Sequence, residues 1–554
     1  MGIQSLETVG SDEPIRADIC LIGSGPAGLA IATELKNEKI RLVIIESGGL
    51  EIQARSDALS EIESIGMPRV MDQTKVRNRV FGGTSHTWKG RSAMFDSTDF
   101  EFRPWVPLSG WPINLDQLSP FVPRACSFLG IEPHCQGIEI WPHLGRPRPE
   151  PDLDGQTLSP FFWQYSRDVK NPLDYMRFGP RFLRLQQDNC RILYNATVTH
   201  VDTNQEGTVI QGVEIADQAN RRLKVVSPLV VLCAGGIENP RLLLASQRVV
   251  PAGVGNECDL VGRYLMDHPR CTIAHFDLKK TKNLSELRDR YGSFRFCKRA
   301  GAIVQGVALS ENVQRKEALL NCAAWLTEIR SADDPWDRLK LFVLKPGPEG
   351  RHLKDLFSAL RQPRTLVEGC RRRIFEGRGL LHQLDGLVLD AMVEQTPDAN
   401  SRVSLAERRD RFGVPISRID WRIGDKERRS IARLAFLIAE EFPNLGLPAP
   451  YLVRWVKERD YKAAEFYDPA HPSGTTRMSE SPSEGVVDPK SQVHGVSGLY
   501  IAGSSVFPTN GHANPTMMIV LLAIRLAEHL RQLSRKSAGA CLSSVSRTLA
   551  EAER

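Results

Sequence analysis

Apolar residues gather in short runs separated by glycine-rich or polar turns, and the first run sets the pattern. Asp18-Ile19-Cys20-Leu21-Ile22 leads into Gly23-Ser24-Gly25-Pro26-Ala27-Gly28 and then an apolar stretch to Leu35. That order predicts a strand, a tight turn and a helix. A second apolar run, 40–45, ends in Glu46. Residues 190–201, 209–215 and 223–233 read as three β-rich runs, with a helix over 240–247. Between 52 and 160 the pattern is irregular, as in loops that cover a bound group or connect surface elements. Residues 301–309 form another apolar run and 431–441 are helix-like. Residues 499–502 predict a last strand, and Asn514-Pro515 opens an apolar helix reaching Leu530. The C-terminal elements are therefore expected to rejoin the unit built by the N-terminal ones.

The spacing inside that first unit points to a dinucleotide. Gly23 permits a sharp turn, Gly25 lets the backbone approach a pyrophosphate, and Gly28 lets helix and strand pack closely. The helix N-terminus is an anion site. Glu46 stands 18 residues after Gly28, where an acid accepts hydrogen bonds from ribose hydroxyls and repels a 2′-phosphate. The other reading of the same turn is a nucleotide-free strand-to-helix connection.

Composition narrows the classes. With 554 residues, 41% apolar and 25% charged, the chain is neither a disordered tail nor a rod, and is long enough for two or three packed units. Basic residues exceed acidic by 72 to 66, but the signs are intermingled, as around Glu407 to Arg411, which argues against a nucleic-acid surface. Eleven cysteines include no CxxC pair; buried thiols and a reducing cytoplasm are the expectation. The first 17 residues lack an apolar signal core, and the strongly apolar stretch at 517–522 is too short to cross a bilayer.

Several motifs in order resemble the glucose-methanol-choline oxidoreductases: GSGPAG at 23–28, GGTSHTWKG at 82–90, LCAGGIENPRLL at 232–243 and VGRYLMDHP at 261–269. SRVSL at 401–405, HPSGTTRM at 471–478 and LYIAGSSVFPTNGHANPT at 499–516 complete the set. The resemblance implies an α/β fold: a Rossmann-like FAD-binding domain, discontinuous in sequence, with an α+β substrate domain built on a mixed or antiparallel sheet. The division it suggests is 15–269 for the first part of the FAD domain, with cofactor-covering loops at about 52–160. Residues 270–465 are then mainly substrate-binding, 466–535 the C-terminal part with the catalytic residues, and 536–554 a polar tail. Gly23, Gly25, Pro26, Ala27, Gly28, Glu46, Gly82, Gly83, His86, Thr87, Gly503, Ser504, Asn514, Pro515 and Thr516 are the implied cofactor contacts.

The 82–88 loop is similar to the pyranose oxidase, fructose dehydrogenase and glycoside oxidase branch, where a histidine directly before the tryptophan carries covalent flavin. Here Thr87 takes that place and His86 sits one residue earlier. A non-covalent FAD with His86 as a polar loop contact is expected, covalent histidyl attachment being the alternative.

The resemblance assigns His471 as catalytic base, suited by an imidazole pKa near 6.5, and Asn514 as the amide that orients the substrate oxygen. His512 is a substrate-facing or supporting alternative, and His268 a structural or cofactor-proximal residue without metal-site spacing around it. Trp88, Trp105 and Trp111 are read either as sugar-stacking walls or as core. The implied reaction is oxidation of a hydroxyl in a sugar, glycoside or cyclitol to a carbonyl. The alternatives are an alcohol on a polycyclic or glycosylated natural product, or a non-catalytic flavin-binding protein. Dioxygen, quinone or an external carrier would take the electrons; no metal, nucleic acid or membrane-spanning segment is expected, and homo-oligomerisation is left open.

Overall fold

The computed structural model describes residues 2–10, 13–69, 71–133, 140–144, 147–168, 174–184, 189–295, 302–344 and 349–552. Its centre is a six-stranded parallel sheet in the order Gly2–Ser5, Cys190–Tyr194, Leu42–Ile45, Ile19–Ile22, Leu229–Leu232 and Leu499–Ile501. The inner strands are apolar at nearly every position because both faces are covered. One face carries the helix Pro26–Glu34, against which the helix beginning at Thr516 packs. Arg531 ties the two together through Glu34 at 3.8 Å and pairs with Glu38, just past the first helix, at 3.0 Å. The two ends of the chain therefore meet in one unit, a discontinuous Rossmann-like arrangement.

Two of the expected β-runs each divide between sheets. Residues 190–201 become Cys190–Tyr194 in the parallel sheet and Thr197–Thr203 in a four-stranded one, and Asn195 turns the corner with φ of +52°. Residues 223–233 divide at Ser227-Pro228 into Arg222–Val226 and Leu229–Leu232, since proline cannot donate to a ladder. The expected helix at 240–247 runs over Gly235–Ala245, with Pro240 in its interior. The final helix does not stop at Leu530 but extends over Thr516–Ala552; no proline interrupts that span.

The second large sheet is antiparallel, in the order Tyr451–Leu452, Arg270–Phe276, Leu384–Val393, Cys322–Arg330, Ala302–Leu309, Leu158–Tyr165 and Arg91–Ser92; Ser293–Arg295 pairs off that path. Two of its strands, Arg91–Ser92 and Leu158–Tyr165, thus come from within the span read as FAD domain and covering loops. One face packs under the helix Asp425–Asn444. The other presents Phe161, Trp163 and Trp325.

The loop after the helix Ser97–Phe100 is clasped to the end of the strand Leu384–Val393 by Arg103, whose guanidinium donates to both oxygens of Glu394 at 2.7 and 2.5 Å, both groups being fully buried. A buried pair of this geometry adds little net stability over an apolar pair, but removing one partner strands a charge. Among the described residues, no helix is long and apolar enough to cross a membrane.

Candidate active site

Three neighbouring strands of the parallel sheet end at one edge, and a glycine follows each: Gly25 after Ile19–Ile22, Gly235 after Leu229–Leu232, Gly503 after Leu499–Ile501. A Cβ at any of the three would meet no atom within 4 Å. Gly235 and Gly503 have φ of +85° and +123°. Gly25 caps the helix Pro26–Glu34, so its backbone N–H groups face this open strip. Elsewhere in the turn there is no room: a Cβ on Gly28 would lie 2.1 Å from the Gly23 carbonyl oxygen. Gly83 comes over the turn, where a Cβ would approach Gly25 Cα to 3.0 Å. Asn239 holds two sides of the strip, accepting from Ala234 N–H at 2.8 Å and donating to Ser505 Oγ at 2.9 Å. An elongated diphosphate fits this donor-lined, side-chain-free strip.

Glu46 is buried and pins the turn itself. One oxygen accepts from Ser24 N–H and Oγ at 3.1 and 2.5 Å, the other from Gly48 N–H at 2.9 Å. Burial raises its pKa against those hydrogen bonds. Ser24 Oγ in turn accepts from Gly82 N–H at 3.0 Å, which joins the 82–88 loop to the glycine turn. In that loop His86 Nε2 donates to the Phe81 carbonyl at 3.0 Å, and Thr87 is exposed with its hydroxyl 3.3 Å from the Thr84 carbonyl. The three tryptophans all spend their indole N–H on the framework: Trp88 on Met176 O, Trp105 on Leu319 O, Trp111 on Thr509 Oγ1. Trp111 lies in an aromatic core with Phe95, Phe100 and Phe507.

His471 hangs in a loop docked on the helix Gly235–Ala245. Gly236 lets it in, since a Cβ there would sit 2.2 Å from Pro472 O. Pro240 has no N–H to give the Gly236 carbonyl four residues back, and Thr475 Oγ1 donates to that carbonyl instead, at 2.6 Å. Ala470, just before His471, takes φ of +62°, a strained conformation for alanine of the kind held at functional positions.

A single carboxylate anchors both histidines. Asp267 accepts from His268 N–H at 2.7 Å and from His471 N–H at 3.1 and 3.2 Å through its two oxygens. Buried Arg69 neutralises it at 2.6 Å. Burial alone would raise the Asp267 pKa, but Arg69 and the two histidines hold it below the usual range. The carboxylate of the Asp267, His268 and His471 cluster is thus engaged by one guanidinium and two amides.

The ring contacts fix the tautomers. His268 Nε2 lies 3.1 Å from the Asn510 carbonyl, which only accepts, so Nε2 carries the hydrogen and Nδ1 of the neutral ring has the lone pair. His471 Nδ1 lies 3.2 Å from that Nδ1 and must therefore donate to it. The remaining lone pair of His471 is on Nε2, which Asn514 Nδ2 approaches at 3.3 Å. Burial, with His268 second, pushes the His471 pKa down to about 3. His471 is thus a neutral imidazole with its basic atom turned to Asn514. Asn514 Oδ1 has no hydrogen-bond partner among the described residues.

His512 is buried edge-on to Phe161 at 4.4 Å, with neither ring nitrogen hydrogen-bonded among the described residues and Nδ1 3.9 Å from the Asp96 carboxylate. Burial lowers its pKa too. Beyond it the aromatic sheet face carries Arg270 and Arg91, 4.6 and 4.8 Å over the Trp325 ring. Arg270 also pairs with Asp390 at 2.6 Å. Sequence reasoning missed Asp267, Arg69, Asn239, Asn510 and this arginine–tryptophan wall. The DHP string was the only sign of Asp267; Asn239 and Asn510 lie inside the 232–243 and 499–516 motifs without being singled out there, and Arg69, Arg91 and Trp325 reach the site from other segments.

A glycine-lined dinucleotide strip beside a paired histidine–asparagine site defines the class of an FAD-dependent oxidoreductase acting on CH–OH donors. Family models described as GMC oxidoreductase match residues 181–270 and 397–523. The chain is 23% identical to the fructose dehydrogenase large subunit of Gluconobacter japonicus, over 94% of this chain and 98% of that one. It is 25% identical to the paromamine 6′-oxidase of Streptomyces fradiae, over 92% and 90%. The solved structure of pyridoxine 4-oxidase from Mesorbium loti superimposes with a TM-score of 0.55 at 16% identity, over 92% of this chain and 98% of that one, a likeness of fold.

Proposed function

We propose that this oxidoreductase oxidises a hydroxyl of a sugar, glycoside or cyclitol to a carbonyl, with His471 as the base and Asn514 as the group that holds the substrate oxygen. The relay from Asn510 O through His268 to His471, which leaves a lone pair on His471 Nε2 beside the Asn514 amide, carries the reading. FAD, when bound, supplies the acceptor for the hydride that leaves the same carbon. Nε2 takes the hydroxyl proton, and the imidazolium so formed keeps its Nδ1 hydrogen on His268. The Asp267 carboxylate favours the protonated His471, against burial, His268 and the nearby arginines. Asn514 Nδ2 faces His471 Nε2 at 3.3 Å and has a second N–H to donate to the substrate oxygen as charge develops. His512, with Arg91 and Arg270 beyond it, gives a polyhydroxylated ring polar partners, the Trp325 ring lying beneath both guanidiniums. The fructose dehydrogenase relative supports a sugar. The relative named for paromamine supports a second reading, a hydroxyl on a decorated natural-product glycoside.

Anaerobic mixing with a panel of sugars, glycosides and cyclitols tests the proposal through bleaching of the flavin band. His471→Ala should slow that bleaching by about 10²- to 10⁴-fold while FAD stays bound. Unchanged kinetics reject His471 as the base. Activity confined to decorated glycosides selects the second reading, and reoxidation by air, quinone or a protein carrier identifies the acceptor.

A further inference from the structure

The positive charge of this protein is not spread over it. Residues 335–378 contain eleven Lys and Arg against five Asp and Glu, an excess of six equal to that of the whole chain, so the remainder is balanced. This segment is the helical insertion between the strands Cys322–Arg330 and Leu384–Val393, formed by the helices Pro335–Leu344, Glu349–Leu360 and Pro363–Ile374.

Some of its charged groups are spent within the insertion and at its base: Asp355 pairs with Arg338 of the neighbouring helix at 3.0 Å, and Arg372 and Arg378 pair with Asp289 of the body. Gly369 seats the last helix on the Trp336 indole, 2.5 Å from where a Cβ would be. The outer stripe is apolar. Leu353, Phe357 and Leu360, spaced four and three residues apart, continue into Val367, Ile374 and Phe375, and all six are 53% to 81% exposed. Exposed Lys354, Arg361 and Arg364 stand beside them, with no carboxylate partner among the described side chains.

We propose that this insertion docks the enzyme on an anionic lipid bilayer as a peripheral membrane protein. An exposed apolar stripe flanked by unpaired cations suits such a surface: the apolar chains enter the acyl boundary while the cations stay among acidic headgroups. A second copy is disfavoured because a two-fold contact would oppose two patches of like charge.

The test uses the FAD-loaded full chain in flotation with vesicles of phosphatidylcholine alone or mixed with phosphatidylglycerol. The wild type should float with the mixed vesicles only, and high salt should weaken the association. Phe357→Ser with Phe375→Ser, and separately Arg361→Glu with Arg364→Glu, should each lower partitioning by about tenfold or more. The flavin spectrum and the oxidation of a dissolved substrate should be unchanged in both variants. A wild type that ignores acidic vesicles overturns the proposal, as does partitioning unaffected by either pair. Dimers that light scattering finds dispersed by the phenylalanine substitutions also overturn it, showing a second copy on the patch.

Discussion

His471 owes its state to its neighbours rather than to its own chemistry. A free imidazole divides its hydrogen between two nitrogens, whereas here the Asn510 carbonyl selects the His268 tautomer and His268 selects that of His471. His268 is on this reading a positioning residue, acting through His471. His268→Phe, which removes the acceptor for His471 Nδ1–H, should slow flavin reduction at least about tenfold. His268→Gln retains an acceptor and should recover part of the rate. Stopped-flow reduction across pH separates this from a packing effect: loss of packing lowers the rate at every pH alike, whereas loss of the tautomer moves the acid limb. Sequence resemblance supplied His471 and Asn514, but the residues that orient them were not legible, because a hydrogen-bond chain has no spacing signature.

At the scale of elements, the helix Gly235–Ala245 shows how a local defect is repaired from far away. The carbonyl that Pro240 leaves free on Gly236 is satisfied by Thr475, a residue of the loop that carries His471. Thr475→Val should cost about 1–2 kcal/mol by leaving that buried carbonyl unpaired. Pro240→Ala restores an N–H at the right place, so the double variant should lose less than Thr475→Val alone; urea unfolding of the four proteins measures the coupling. If the single and double variants lose equally, the hydroxyl is not the carbonyl's effective donor. The early start of this helix escaped the sequence reading because Gly235 and Gly236 speak against a helix, while Gly236 is required by the approach of Pro472.

For the whole molecule, burial of the histidines makes acid a stress. The unfolded-state pKa of His471 is near 6.5 and its folded value is lowered to about 3. Below pH 6.5 the unfolded chain therefore takes up a proton that the folded chain refuses, and stability falls as pH drops towards the folded value. Buried Glu46 and Asp99, whose pKa values are raised, act in the opposite sense, so total stability mixes both. The difference between wild type and His471→Gln isolates one group. Relative to that variant, the wild type should lose about 1.4 kcal/mol per pH unit on acidification from about pH 6 to 4. Urea titrations at several pH values measure this, and a constant difference would mean that His471 titrates normally in the fold.

The amino-acid sequence alone determined the nucleotide turn, the continuous apolar strands of the parallel sheet and the return of the C-terminus to that sheet. These are local signals: glycine where only hydrogen fits, and apolar runs where both faces are covered. Tertiary structure decided the division of 190–201 and 223–233 between sheets, and the buried Arg69–Asp267 anchor beneath the histidines. It also decided the outward turn of the apolar stripe at 353–375. Each depends on which distant segment supplies a hydrogen bond or a counter-charge, and no pattern within a single segment encodes that.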